Sequence, residues 1–184
     1  GQTLEAFLAS ISSYPIFSVG LNCSFGADQM IGFLRQLARR APYYISAYPN
    51  AGLPNSMGLY DETPESMAPK IGAMIDEGLV NIIGGCCGTD EHFIAEYLPL
   101  VAGKTPHRPA EASPYMQLSG LELLEVTPEV HFVNVGERCN VAGSRKFLRL
   151  IKEKQYDEAV AIARKQVEDG ALVIDVNMDD GLLD

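Results

Sequence analysis

The sequence has no run of basic residues, and its acidic side chains outnumber the basic ones. Its 184 residues include 14 lysines and arginines against 24 aspartates and glutamates, for a formal net charge of −10 at pH 7. Nucleic acids and anionic membrane surfaces attract proteins through clustered positive charge. We therefore expect no nucleic-acid partner and no membrane-surface partner.

Long hydrophobic runs are also missing, and we expect no secretion signal at the N-terminus. No apolar stretch approaches the roughly 18 residues that a membrane-spanning helix needs. The first residues include Glu5 and no basic cluster, unlike a signal peptide. The 4 cysteines do not make a chain of this length a small disulfide-stapled scaffold. We therefore expect reduced thiols and a cytoplasmic location. The length and the hydrophobic fraction of 47% are typical of one or two globular domains.

The first hundred residues alternate between two hydrophobic patterns. Apolar residues at helical spacing predict helices over 2–12, 27–39, 63–77 and 90–98, and apolar runs predict strands over 16–21, 43–48 and 80–84. Thr89 is expected to cap the helix over 90–98. Pro69 is expected to delay the regular helix over 63–77. This alternation implies a parallel sheet with helical crossovers.

A stretch without helical periodicity follows at 101–128, where prolines and glycines recur. It predicts a linker over 103–129, with a short hairpin around 118–126. A long functional loop within one domain is the alternative. A second α/β unit then begins, with strands over 131–135 and 171–176 and one helix from Arg145 to a stop at Gly170. With three strands before the linker and two after it, neither half can close a (β/α)₈ barrel, which needs roughly 200 residues.

Three cysteines fall at the carboxyl ends of predicted strands, where sites in such folds lie. Cys23 follows strand 16–21, and strand 80–84 runs into Gly84-Gly85-Cys86-Cys87-Gly88. Glycine allows a sharp turn, so that both adjacent sulfurs can reach one point. A disulfide between neighbouring residues would be strained. Three thiolates without an evident fourth protein ligand are typical of a catalytic zinc with an open position. The alternative is that all three are small buried hydrophobic residues.

At these residues the sequence resembles the cobalamin-dependent methionine synthase family. Gly20-Leu21-Asn22-Cys23 and the Cys86-Cys87 turn through Thr89 are similar to the zinc-thiolate motifs of its homocysteine barrel. Residues 118–122 resemble the connector that follows. Residues 133–138 with Asn140, and then 174–179, resemble the opening strands of its methyltetrahydrofolate barrel. The paired-cysteine motif alone also occurs in betaine-type homocysteine methyltransferases, and the folate-type segment separates the two families.

The resemblance implies two partial TIM barrels of α/β class. Residues 1–102 would be the C-terminal part of the homocysteine barrel, 103–129 a linker, and 130–184 the N-terminal part of the pterin-binding barrel. The implied reaction is methyl transfer to the thiol of homocysteine, which gives methionine. The methyl group comes from methylcobalamin, which methyltetrahydrofolate regenerates. The family's cobalamin-binding module is a partner with no counterpart in these residues. Because both barrels are incomplete by the strand count, we expect the isolated chain to have little or no turnover.

The resemblance also implies the site residues. Cys23, Cys86 and Cys87 would hold zinc, and the homocysteine thiol would take the open position; no catalytic residue is assigned. Asn140, Asp175 and Asn177 match the mouth of the folate barrel and would contact the pterin. The alternative for these three is that Asp and Asn at strand ends cap turns and helices.

Two other function classes remain open from the sequence. One is a zinc-dependent methyltransferase with another donor, such as betaine, and the other is a structural zinc module or a redox dithiol at Cys86-Cys87. We expect Cys139, where the family more often has threonine, to be a small buried residue, and His92 to pack or cap. Glu137 and Arg138 are expected to pair with each other or to organise their loop, and Tyr43-Tyr44 to be core or pocket wall.

Overall fold

The computed structural model describes residues 1–181 and 183, and the chain divides into two compact units, 1–123 and 124–184. The first unit alternates helices and strands as far as residue 101. Its elements are α1 (Leu4–Ile11), β1 (Ser18–Gly26), α2 (Ala27–Arg40), β2 (Tyr44–Asn50), α3 (Pro64–Asp76), β3 (Ile82–Ile83) and α4 (Glu91–Val101). Among these residues, no helix is both long enough and apolar enough to cross a membrane.

The three strands form one sheet in the order β1-β2-β3, and both pairings are parallel. Ser18 of β1 faces Tyr44 of β2, and Ser46 of β2 faces Ile82 of β3. The predicted parallel sheet with helical crossovers is confirmed. Its middle strand lies between the two strands that lead to the cysteines.

The core of this unit comes from the predicted helical stripes. Met30, Leu34 and Leu37 of α2 are buried, as are Met67, Ile71 and Met74 of α3. These side chains form one cluster with Val19, Ile45 and Ala47 of the sheet. The apolar face of each helix is buried against the apolar side chains of the sheet, and this burial holds α2 and α3 against the strands.

Two details of the helix starts differ from the prediction. α3 begins at Pro64 and continues through Pro69, because Thr63 and Ser66 form a reciprocal capping box that starts the helix ahead of the internal proline. α4 is capped by Asp90, whose carboxylate accepts a hydrogen bond from the His92 backbone N–H at 3.0 Å. Thr89 is not the cap.

Residues from 102 to the unit boundary run along the first unit. The His107 N–H donates to the Val80 carbonyl at 3.1 Å, and the Ala110 N–H donates to the Ala41 carbonyl at 2.9 Å. Two short strands, β4 (Met116–Ser119) and β5 (Leu123–Val126), form a two-stranded sheet where the hairpin was expected. A single 3₁₀ turn follows at Pro128–Val130.

The second unit contains β6 (Val135–Asn140), α5 (Arg145–Lys152), α6 (Tyr156–Glu168) and β7 (Val173–Asn177), and β6 pairs with β7 in parallel. The strand predicted over 131–135 is wrong in position. His131 has a positive φ of 59°, and Phe132 is 79% exposed, so the apolar run precedes the strand instead of forming it. The single predicted helix is two helices, separated at Lys154, which has a φ of 56°. The small core of the second unit is built from Cys139, Val141, Phe147, Leu150 and Ala159.

Candidate metal centre

Cys23 lies inside β1, at an irregular part of the strand. The pairing of β1 with β2 shifts register between Asn22 and Gly26. Within that interval Cys23 and Ser24 have positive φ values of 58° and 61°. Residues other than glycine adopt this left-handed conformation at an energetic cost, and residues strained in this way are concentrated at functional sites. The backbone here departs from the alternation of a regular strand, and this departure sets the position of the Cys23 sulfur.

The Cys86-Cys87 turn is fixed to the end of β2 by backbone hydrogen bonds. The Cys86 N–H donates to the Pro49 carbonyl at 2.9 Å, and the Ala51 N–H donates to the Cys87 carbonyl at 2.9 Å. The Thr89 hydroxyl closes the turn by donating to the Cys86 carbonyl at 2.7 Å. Both cysteines are therefore held by β2, a strand that carries no cysteine itself.

Two glycines of the turn are needed for space. A Cβ atom on Gly84 would lie 2.7 Å from the Tyr48 ring, and one on Gly85 would lie 2.2 Å from the Thr89 hydroxyl oxygen. Both distances are far below a van der Waals contact. The sequence predicted that these glycines supply the backbone freedom for a sharp turn. In the structure Gly84 and Gly85 instead provide space for close packing, and Gly88 has a positive φ of 79°.

Asn50, the last residue of β2, is a site residue that sequence reasoning missed. It is buried, with only 3% of its surface exposed, and its Oδ1 accepts a hydrogen bond from the Cys87 N–H at 3.1 Å. The available signal was its place at the carboxyl end of the middle strand, immediately before the Ala51-Gly52 turn. Asn50 orients the backbone that carries one of the three thiols.

The structure brings Cys23, Cys86 and Cys87 together. The Cys23 and Cys87 sulfurs are 3.6 Å apart, the Cys86 and Cys87 sulfurs are 4.0 Å apart, and all three lie within 4.8 Å of one another. Tetrahedral zinc with Zn–S bonds of about 2.3 Å requires sulfurs roughly 3.8 Å apart. None of the three cysteines is buried, so the cluster is open to an incoming ligand. The donor set and its spacing fit a zinc ion.

The electrostatics of the cluster favour a bound cation. The Ser24 backbone N–H lowers the pKa of the Cys23 thiol, and the adjacent Cys87 thiol lowers it further. Burial raises the pKa of Cys86, and the interaction with Cys23 adds to that effect. The Cys23 thiol therefore ionises more easily than a free cysteine, and ionisation of the neighbouring Cys86 thiol is disfavoured. A divalent cation would remove that repulsion.

The second unit brings Asn140, Asp175 and Asn177 together at the carboxyl ends of β6 and β7. The Asn140 amide nitrogen lies 3.4 Å from an Asp175 carboxylate oxygen, and the Asn177 amide nitrogen lies 3.3 Å from Asn140 Oδ1. Asn140 Oδ1 also accepts from the Ala142 N–H at 2.9 Å, and Asn177 Oδ1 accepts from the Asp179 N–H at 2.9 Å. Both asparagines thus support turns, which is the alternative role considered for them. Contact with a pterin stays a prediction.

The remaining candidates lie apart from these two clusters. Cys139 is 1% exposed and accepts a hydrogen bond from Gln166, which confirms it as a small buried residue. Glu137 and Arg138 pair at 2.9 Å. His92 is exposed in the first turn of α4, so it does not pack in the core. Tyr44 is 43% exposed and packs against Phe17 with the two rings tilted and their centroids 5.1 Å apart, whereas Tyr43 packs against the core.

Comparison with known families gives two matches, one for each cluster. Residues 1–98 match the family model described as homocysteine S-methyltransferase, and this range holds all three cysteines of the sulfur cluster. Residues 136–182 match the family model described as pterin binding enzyme, and this range holds Asn140, Asp175 and Asn177.

Proposed function

The chain belongs to the homocysteine S-methyltransferase family, and with the pterin-binding match it is methionine synthase-like; from this premise we propose that it transfers a methyl group to a zinc-activated homocysteine thiol. The product is methionine, and methyltetrahydrofolate is the ultimate methyl donor, through cobalamin. The two α/β units are then parts of two (β/α)₈ barrels. The convergence of three sulfurs within 4.8 Å is the observation that carries the proposal.

The residues of the first unit have defined roles in this proposal. Cys23, Cys86 and Cys87 hold the metal, while Asn50 and the Thr89 hydroxyl keep the Cys86-Cys87 turn in place. Bound zinc would lower the pKa of an incoming thiol, so that thiolate is available near neutral pH. Among the described residues, the cluster contains three metal-ligating side chains, which leaves one tetrahedral position for the homocysteine sulfur.

In the second unit, Asn140, Asp175 and Asn177 form the polar floor of the proposed pterin site. They offer both amide donors and carboxylate or carbonyl acceptors within one cluster. A pterin ring has donors and acceptors along its edge and needs such a mixture. The three thiols of the cluster, none of which is buried, require a reducing compartment, which is why we place the protein in the cytoplasm.

Metal binding by the reduced chain tests the first half of the proposal. The chain is loaded with zinc, its metal content is measured, and X-ray absorption counts the sulfur ligands. We expect one zinc with three sulfurs, rising to four when homocysteine is added. Cys23→Ser should reduce the metal content sharply, whereas Cys139→Ser, the matched control, should not, because Cys139 lies buried in the other unit.

Two results would refute this half. A fourth ligand from the protein would make the centre a structural zinc module. Thiol–disulfide cycling of Cys86 and Cys87 without any metal would make it a redox site.

Methyltetrahydrofolate binding tests the second half. Calorimetric titration of the chain should show binding that Asn177→Ala weakens by about 1–2 kcal/mol, the contribution of one or two hydrogen bonds. Glu153→Gln, an exposed change after α5, is the control and should bind normally. Binding of betaine in place of the folate would favour the betaine-type alternative.

A further inference from the structure

Strand β6 carries one more residue than β7 over the same stretch of their pairing. Gly136 pairs with Ile174 and Asn140 pairs with Asn177, so β6 takes four steps where β7 takes three. The register shift falls between Gly136 and Cys139. An extra residue of this kind is a β-bulge, which bends its strand and re-aims the side chains that follow.

The bulge decides which residue of β6 reaches the polar cluster formed by Asn140, Asp175 and Asn177. Regular pairing without the extra residue would place Cys139 opposite Asn177 and move Asn140 one position further along. Because a shift of one residue exchanges the two faces of a strand, the Asn140 side chain would then point away from the cluster. In the structure, the Val141 N–H donates to the Asn177 carbonyl at 3.0 Å, which ties β6 to β7 in the shifted register.

The side chain of Gln166, on α6, is hydrogen-bonded to the bulge. Its Oε1 accepts from the Arg138 N–H at 2.8 Å, and Arg138 lies within the shifted interval. Its Nε2 donates to the Cys139 sulfur at 3.3 Å and to the Ile162 carbonyl of its own helix at 3.4 Å. Both ends of the side-chain amide are therefore used, and they connect two consecutive residues of β6 to α6.

Gly136 provides the space that Gln166 needs beside the strand. A Cβ atom at position 136 would lie 2.7 Å from the Gln166 Oε1 and 2.9 Å from its Cδ, which is too close for any other residue without a shift. Gly136 is also the last regularly paired residue before the bulge. The Gln166 side chain thus contacts β6 from the residue where the shift begins to the residue where pairing resumes.

We propose that Gln166 is a positioning residue of the pterin site, because it holds the bulge that brings Asn140, and not Cys139, to the polar cluster. This inference rests on the proposed function, which assigns that cluster to the pterin. The extra residue of a bulge has a backbone N–H without a partner on the neighbouring strand, and an N–H left without an acceptor is unfavourable where water is excluded. Gln166 supplies this acceptor. Without it, the regular register would gain in stability relative to the bulged one.

The test compares Gln166→Met with the unchanged chain. Methionine has about the same length and removes both hydrogen bonds to β6. In calorimetric titration, we expect the affinity for methyltetrahydrofolate to fall about tenfold, as the loss of one or two hydrogen bonds implies. In NMR spectra, the cross-strand contact between Asn140 and Asn177 should weaken, and a contact between Cys139 and Asn177 should appear.

Two further variants separate positioning from a general effect on stability. Gln166→Glu keeps an oxygen acceptor for the Arg138 N–H, so it should keep the register and bind methyltetrahydrofolate within about threefold of the unchanged chain. Gln155→Met is the matched control. Gln155 is exposed before α6 and its side chain makes no cap hydrogen bond, so this change should alter neither the affinity nor the register.

The role of Gln166 is overturned if Gln166→Met keeps the contact between Asn140 and Asn177 together with the affinity of the unchanged chain, even if it unfolds at lower urea concentration. Equal losses in Gln155→Met would also overturn it. If Gln166→Met does not fold, Gln166→Asn takes its place, because it keeps the amide but withdraws it from Arg138 by one methylene group. If the unchanged chain binds no methyltetrahydrofolate, the proposed pterin site fails, and the register read by NMR still decides whether Gln166 positions Asn140.

Discussion

Replacing Asn50 by alanine tests whether the middle strand positions the sulfur cluster. The change removes the acceptor of the Cys87 N–H hydrogen bond, which is 3.1 Å long. A neutral hydrogen bond contributes about 1 kcal/mol net, and a buried donor left without a partner costs about 1–3 kcal/mol. Because this bond is only partly buried, water can reach the freed N–H, and we expect a loss of about 1–2 kcal/mol.

That loss is measurable by urea unfolding followed by circular dichroism. With a urea dependence of about 2 kcal/mol/M, the midpoint of the first unit should fall by roughly 0.5–1 M. Zinc affinity should fall by about 10–100-fold, because the Cys87 backbone loses its orientation. Asn22→Ala is the control. This asparagine also neighbours a cysteine, but it is exposed, so its stability should change by less than about 0.5 kcal/mol.

The reasoning would be refuted if Asn50→Ala bound zinc as tightly as the unchanged chain with an unshifted midpoint. It would also be refuted if Asn22→Ala lost as much as Asn50→Ala, since the effect would then not depend on the hydrogen bond.

Two further changes test the sheet and a buried histidine. Gly20→Ala should lower the free energy of unfolding by about 2 kcal/mol or more, because the new Cβ would lie 2.1 Å from the Ser46 carbonyl oxygen on the paired strand. Gly32→Ala within α2 meets no atom within 4 Å and should instead stabilise by about 0.5–1 kcal/mol; equal effects at both glycines would contradict the close strand contact. Burial lowers the pKa of His107, so the unfolded chain takes up the proton first and stability falls as the pH drops below about 6.5. His107→Gln should flatten the dependence of unfolding free energy on pH between 7 and 5. Equal slopes for His107→Gln and the unchanged chain would show that burial does not shift the pKa of this group.

Features with a periodic or local signal could be predicted from the sequence. The stripes of α2 and α3 follow from apolar spacing, and the parallel sheet follows from alternation. The meeting of Cys23 with Cys86 and Cys87 follows from the rule that parallel strands present their carboxyl ends on one edge. That rule needs only the order of the elements.

Features that depend on long-range contacts could not be predicted. Asn50 ends a strand and Tyr60 lies in a loop. Only the folded chain shows that Asn50 bonds to the Cys87 N–H and that Tyr60 lies against Gly88, the residue after Cys87. β6 reads Val-Gly-Glu-Arg-Cys-Asn, a polar strand whose pairing with β7 decides its position. The break between α5 and α6 falls in Lys152-Glu153-Lys154-Gln155, where no glycine or proline marks it.

The order β1-β2-β3 has a consequence for when the protein can acquire its metal. Neighbouring strands lie about 4.8 Å apart, so the outer two are separated by roughly 10 Å, with β2 between them. Cys23 and Cys87 are 64 positions apart in sequence, and chain closure over such a length carries an entropic cost that only the finished sheet offsets. An unfolded chain offers just the adjacent pair of thiols. Tight metal binding must therefore come late in folding, and a metal bound by all three cysteines shows that the three strands have assembled.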